Sequence, residues 1–197
     1  LTTTAAFILP LLMGAPALAQ TTAPTGATTM APAASTTTES SAMAQTPGGT
    51  GGGAISATDR TFVTKAAQGG LAEVQMAQLA QQKTQDPTIK QFAQTMIDDH
   101  TPANEKLAQL AASDGLTAPT EPSATQMKMM SHLQGLDGSK FDHSYITGQL
   151  KAHKMMLKLV QNEATNGSNP QLKAFAEQLV PVIQKHISLA ESAQNAS

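Results

Sequence analysis

From Asp59 onward the apolar residues recur at intervals of three and four, and no segment alternates apolar with polar as a half-buried strand does. A chain patterned in this way can bury its apolar surface only by packing helices against one another. The spacing predicts an all-α domain with four long helices and a short one. The first is expected over 59–84, capped by Thr58 or Asp59, with Phe62, Ala66, Met76, Ala77 and Ala80 on one face. Asp86-Pro87 supplies a cap followed by proline at the first helical position and opens a second helix reaching Ser113. The loop DGLTAPTEPS precedes a short helix from Ser123 to Leu136, which Asp137-Gly138 ends. The third long helix is expected over 139–164, with Phe141, Ile146, Leu150, Leu157 and Val160 inward, and Asn166-Gly167 closes it. The fourth begins between Ser168 and Pro170 and carries Leu172, Phe175, Leu179, Val182, Ile183 and Leu189 to Ala193. Matched lengths and short connections predict an up-and-down four-helix bundle, with the short helix crossing one end.

Charge divides the chain sharply. Of 12 basic and 14 acidic residues, only Glu39 precedes Asp59. Residues 20–57 are Thr, Ala, Pro, Gly and Ser with neither helical nor strand period, a composition that cannot offset chain entropy by burial, and they are expected to be a disordered tether. Before them, the apolar run AAFILPLLMGAPALA ends in Ala17-Leu18-Ala19, the small-x-small pattern of a cleaved secretory signal over 1–19. The run is too short, and too broken by Pro10, Gly14 and Pro16, for a spanning helix. Leu1 opens the chain and no basic residue precedes the run, which suggests a shortened or non-standard start. With no cysteine there is no disulfide framework, thiolate site or lipid-bearing Cys, so the expected location is a bacterial periplasm. The domain from residue 58 to 197 is nearly neutral and has one Tyr and no Trp, which excludes a nucleic-acid binder built on basic stripes and stacking platforms.

Each long helix places one ionisable residue in its apolar stripe. At 100° per residue Glu73 falls within about 20° of Phe62, Ala66 and Ala80. His100 shares a face with Ile89, Ala93 and Leu107; His153 with Ile146, Val160 and Ala164; His186 with Phe175, Leu179 and Ala193. All four stand at mid-helix depth, so a bundle should gather them into one layer. One carboxylate and three imidazoles there could hold a single divalent transition metal such as Zn, Fe or Cu. The alternative is a hydrogen-bonded polar layer that fixes packing register. A ferroxidase-type centre is disfavoured, because Glu105 and Glu177 face away and Asp142 lies three turns from His153. Asp98 and Asp99 flank His100 and could accept hydrogen bonds from ligating imidazoles, although a solvated face is the plainer expectation. Met127, Met129, Met130, Met155 and Met156, with His132 and His153, offer soft ligands for Cu(I) or simply fill core space. Pro102 and Pro181 should bend two helices beside the layer, and Gly69-Gly70 could leave room there. Tyr145, His143 and Asp142 read as a helix-start interaction. No nucleophile motif, phosphate loop or His-Glu-x-x-His sequence is present, so hydrolase or nucleotide chemistry has no visible machinery.

These motifs, FVTKAAQGGLAEV, FAQTMIDDHTPAN, FDHSYI and LKAFAEQLVPVIQKH, fall in an order that resembles the bacterial domain-of-unknown-function 4142 family from Phe62 to His186. The resemblance implies an exported bundle of the ferritin-like superfamily and no assigned reaction. The family's Asp-His pair on the helix of His153 is Ala152-His153 here, which removes one carboxylate. The expected role is an exported binding or envelope-stress protein with a metal at Glu73, His100, His153 and His186, leaning away from an enzyme. Its alternatives are a redox-metal oxidoreductase at the same site and a structural or adhesion module.

Overall fold

A computed structural model describes residues 54–196; the leader expected at 1–19 and the tether up to residue 53 lie outside the described residues. Five helices follow in order: α1 (Ala57–Lys83), α2 (Pro87–Ser113), α3 (Ala124–Gln134), α4 (Gly138–Asn166) and α5 (Pro170–Ala196). No strand occurs among the described residues. The chain forms the all-α bundle of four long helices and one short one that its spacing predicts. No helix among the described residues is long and apolar enough to cross a membrane.

Local chemistry sets the boundaries. Helix α1 starts earlier than expected because Ser56, not Thr58 or Asp59, is the cap: its hydroxyl accepts from the Asp59 N–H at 3.1 Å, and the Asp59 carboxylate accepts from the Ser56 N–H at 2.6 Å. Asp86 accepts from Thr88 and Ile89 at the start of α2, with Pro87 at the first position. Gly115, at φ +69°, closes α2 by letting the Leu116 N–H reach the Ala111 carbonyl at 2.8 Å. Ser123 and Gln126 form a second capping box at α3, and Asn169 caps α5 through the N–H groups of Gln171 and Leu172. Both α2 and α5 continue through their internal prolines, Pro102 and Pro181.

Helix α1 packs on α2 and α4, and α5 packs on the same two, so α1 and α5 occupy opposite corners. Two apolar clusters fill the interior. One joins Met76, Ala80, Phe92, Met96, Phe141, Ile146 and Ala190 around the C-terminal half of α1. The other joins Phe62, Ala66, Leu107, Leu110, Val160, Leu172 and Phe175 around its N-terminal half. These memberships make the hairpins α1–α2 and α4–α5 antiparallel, with α2 and α4 running in the same direction. The connection between them must therefore return along the whole bundle. Helix α3 does this: it lies lengthwise beside α1 and α4 instead of crossing an end, with Gln126 near Gly69 and Leu133 in the cluster of Met76 and Phe141. Beyond it, the Lys83 ammonium donates to the Leu136 carbonyl and pairs with Asp137, both at 2.7 Å.

At the opposite end Asp59 ties three segments together. Besides Ser56, its carboxylate accepts from the N–H groups of Ser168 and Asn169 at 3.0 and 3.2 Å, joining the start of α1 to the α4–α5 turn. Burial opposes its charge, yet the hydrogen bonds from Ser56 and Asn169 win and hold its carboxyl at about 2. Glu163 is buried against it, and burial, the hydrogen bond to Asp59 and the Asp59 charge push the Glu163 carboxyl up to about 8. Folding therefore takes up a proton between the ordinary value of 4.5 and about 8. Stability from this group is full below 4.5, declines as pH rises and levels off above about 8. Urea unfolding at pH 5, 7 and 9 should show that decline, and Glu163→Gln should flatten it; equal slopes in the two proteins would refute the protonated pair.

Candidate metal centre

Between the two apolar clusters lies a polar layer with one residue from each long helix: Glu73 from α1, His100 from α2, His153 from α4 and His186 from α5, all buried. Each sits in a gap of its helix's apolar run, which is why none disrupts the packing at either end. The three histidines converge. Ring centroids are 5.7 Å apart for His100 and His153, 5.3 Å for His100 and His186, and 5.2 Å for His153 and His186. One ring nitrogen from each lies within 4.8 Å of the others. A tetrahedral ion with metal–nitrogen bonds of about 2.0–2.1 Å would need separations of about 3.4 Å, so small ring rotations close the set. Glu73 occupies the same layer but is not part of that group.

On two of the three histidines a ring nitrogen is held by a hydrogen bond. The Nδ1–H of His153 donates to the Gln149 carbonyl at 2.9 Å, and the Nε2–H of His186 donates to the Asp99 carboxylate at 2.9 Å. Each contact fixes the tautomer and leaves the other nitrogen with a free lone pair. On these three rings the buried nitrogens without a partner are Nε2 of His100, Nε2 of His153 and Nδ1 of His186. His100 is driven down to about 3, chiefly by burial and then by the neighbouring histidines, so its imidazole is neutral at pH 7, the form in which a histidine can ligate a metal. Burial likewise lowers His186, against the pull of Asp99. Although partial burial opposes it, the bond from His186 and the charge of Lys185 keep the Asp99 carboxyl below its ordinary range.

Glu73 is raised, first by burial; His153 and the Gln149 amide work in the other direction. Tyr145 stands close to it, 1% exposed, stacked on Phe141 and edge-on to Phe92, with its hydroxyl unpartnered. Burial and the Glu73 charge push that phenol well above 10. Tyr145 is thus a core residue of the site and not part of a helix-start interaction. Gln149 shares the His153 face four residues earlier, a spacing the sequence displays. Asp99 was legible only as a flank of His100; that it turns toward α5 depends on which helix is its neighbour. Gly69 and Gly70 leave no void, since a Cβ on the first would meet the Met156 methyl at 2.6 Å and one on the second would strike the Asn104 side chain. His132 is exposed on α3, apart from the three-histidine group.

Fold and layer together define a four-helix bundle with a histidine cluster between its two apolar clusters. The DUF4142 profile, a domain of unknown function, matches residues 44–193, and the chain belongs to that family. No curated protein matches the sequence. Among solved structures, CopM in its Cu(II)-bound form is similar in fold, with a TM-score of 0.60, 17% identity, and coverage of 70% of this chain and 96% of that one. A DUF305 fragment from Deinococcus radiodurans gives 0.64 at 12% identity, covering 73% and 99%. A DUF305 protein from Streptomyces coelicolor gives 0.59 at 17% identity, covering 68% and 88%.

Proposed function

We propose that this is an exported protein that binds one transition-metal ion in its bundle core through His100, His153 and His186. One observation carries the reading: three buried histidines bring a ring nitrogen each to within 4.8 Å of one another, and each has a buried ring nitrogen with no hydrogen-bond partner, while the other nitrogens of His153 and His186 are fixed by Gln149 and Asp99. An unsatisfied buried acceptor costs about 1–3 kcal/mol, and three at one point are hard to account for as a register device alone. An ion there would draw the three lone pairs to itself and act as a Lewis acid. Three protein ligands leave a further position, which the chain could fill with Glu73 or leave to an external ligand. Neutral imidazole suits Zn, Cu, Fe and Ni. CopM, similar in fold, has structures in Cu(II)-bound and Ag-bound forms, and copper is therefore our first ion to test. Export rests on the leader pattern over 1–19, and N-terminal sequencing of the secreted product should begin at Gln20.

Protein purified without an affinity tag and titrated with Cu(II) or Zn(II) should bind one ion per chain. Asp99→Asn should weaken that binding by about 10–100-fold, because the imidazole of His186 loses its charged acceptor. A titration with no saturable site would end the proposal. Turnover of peroxide or superoxide by the loaded protein would move it to the oxidoreductase class.

A further inference from the structure

A cavity of about 810 Å³ lies between α1, α3 and α4 and reaches His100 and His153. Its size falls within the range of small-molecule sites, about 300–1,000 Å³. Its walls are thioether and aliphatic, from Met76, Met129, Met155, Met156, Leu133 and Leu159. Glu73, Gln149 and Tyr145 are among its lining residues; they are 5%, 1% and 1% exposed and each carries a buried oxygen without a hydrogen-bond partner. Lys65, Lys151 and Lys158 line it as well; all three are exposed and none makes an ion pair among the described residues. Against three ammonium groups the lining sets one carboxyl, Glu73.

A glycine gives the independent sign that this space is kept open. Gly148 lies inside α4 on the cavity wall, where glycine costs a helix about 1 kcal/mol relative to alanine. Gly69 and Gly70 are filled by neighbouring side chains, but a Cβ at Gly148 would meet nothing within 4 Å. Neither backbone conformation nor close packing asks for glycine there. A larger side chain at that position would instead occupy the cavity.

We propose that the cavity binds a small organic carboxylate with an apolar body, the body among the methionines and the carboxylate drawn in by the three lysines to the histidine floor. Coordination of the carboxylate there rests on the metal reading above; capture by the lysines and the methionine walls does not. Methionine suits such walls because its unbranched, polarisable side chain adapts to different apolar shapes.

Benzoate is the probe and benzamide its uncharged counterpart. In the Co(II)-loaded protein, benzoate should shift the visible d–d bands saturably, and benzamide should bind at least about tenfold more weakly, a difference of about 1.4 kcal/mol. Gly148→Leu should abolish the benzoate shift while Co(II) affinity stays unchanged. Replacing Lys65, Lys151 and Lys158 together with glutamine should weaken benzoate about tenfold or more. Co(II) bound at one per chain with bands indifferent to benzoate overturns the cavity assignment and leaves the metal reading intact. Absence of any Co(II) spectrum overturns the metal reading instead. Calorimetry of benzoate into the metal-free protein then decides the cavity: heat that Gly148→Leu removes supports it, and no heat overturns it.

Discussion

Asp59→Ala is expected to destabilise the bundle by about 3–5 kcal/mol, a large part of the total stability of a domain this size. The substitution removes the acceptor for three backbone N–H groups, those of Ser56, Ser168 and Asn169. A buried donor left without a partner costs about 1–3 kcal/mol, with the partly wet ones at the low end. The Ser56 bond among these three is also the Asp59 half of the capping box at α1. Glu163 would lose the neighbour that helps hold its proton, so the pH dependence described above should shrink along with the stability. Asp59→Asn keeps one of the two acceptor oxygens, enough for the Ser168 and Asn169 N–H groups but not for Ser56 as well, and should cost less than the alanine. Chemical denaturation of the three proteins at pH 7 measures this, and an alanine variant within about 1 kcal/mol of the parent would show that the tie contributes little.

The second large effect separates a metal site from a polar spacer. His153→Leu replaces a buried imidazole having an unpartnered nitrogen with an apolar group of similar size, next to Phe92. Without metal the variant should be as stable as the parent or gain about 1–3 kcal/mol, because an unsatisfied acceptor has left the core. With metal the order reverses. An ion at about 1,000 times its dissociation constant stabilises the parent by about 4 kcal/mol and the variant by almost nothing. Thermal melts of both proteins with and without chelator read this directly. If the melting temperature of the parent ignored metal, and His153→Leu weakened the metal-free fold, the histidines would be a packing device.

The elements were legible because their signals are local. Asp86-Pro87, Ser123 and Asn166-Gly167 mark boundaries within a few residues of where they act, and 3.6-residue periodicity placed Glu73, His100, His153 and His186 inward, as the structure has them. Matched helix depth carried the further step to one shared layer. What stayed hidden depends on pairs far apart in sequence. Asp99 reaches His186 across 87 positions, and Asp59 reaches Asn169 across 110. Periodicity on one helix cannot say which neighbour a flanking carboxylate faces. It also cannot separate the route of the connection past Ser113 along the bundle from one across its end, since both fit the same loop composition. Gly69, Gly70 and Gly148 look alike in sequence, and only the occupants opposite them tell the two filled positions from the open one.

The short helix α3 gives the core a single buried residue, Leu133. Detaching it from the flank costs roughly the burial of one leucine, about 1.5–3 kcal/mol, together with the Lys83 contacts beyond its end. The two long hairpins share far more buried surface than either shares with α3. That lightly held helix is also one wall of the cavity beside His100 and His153, so the side of the bundle with least buried surface is the side on which the proposed site lies.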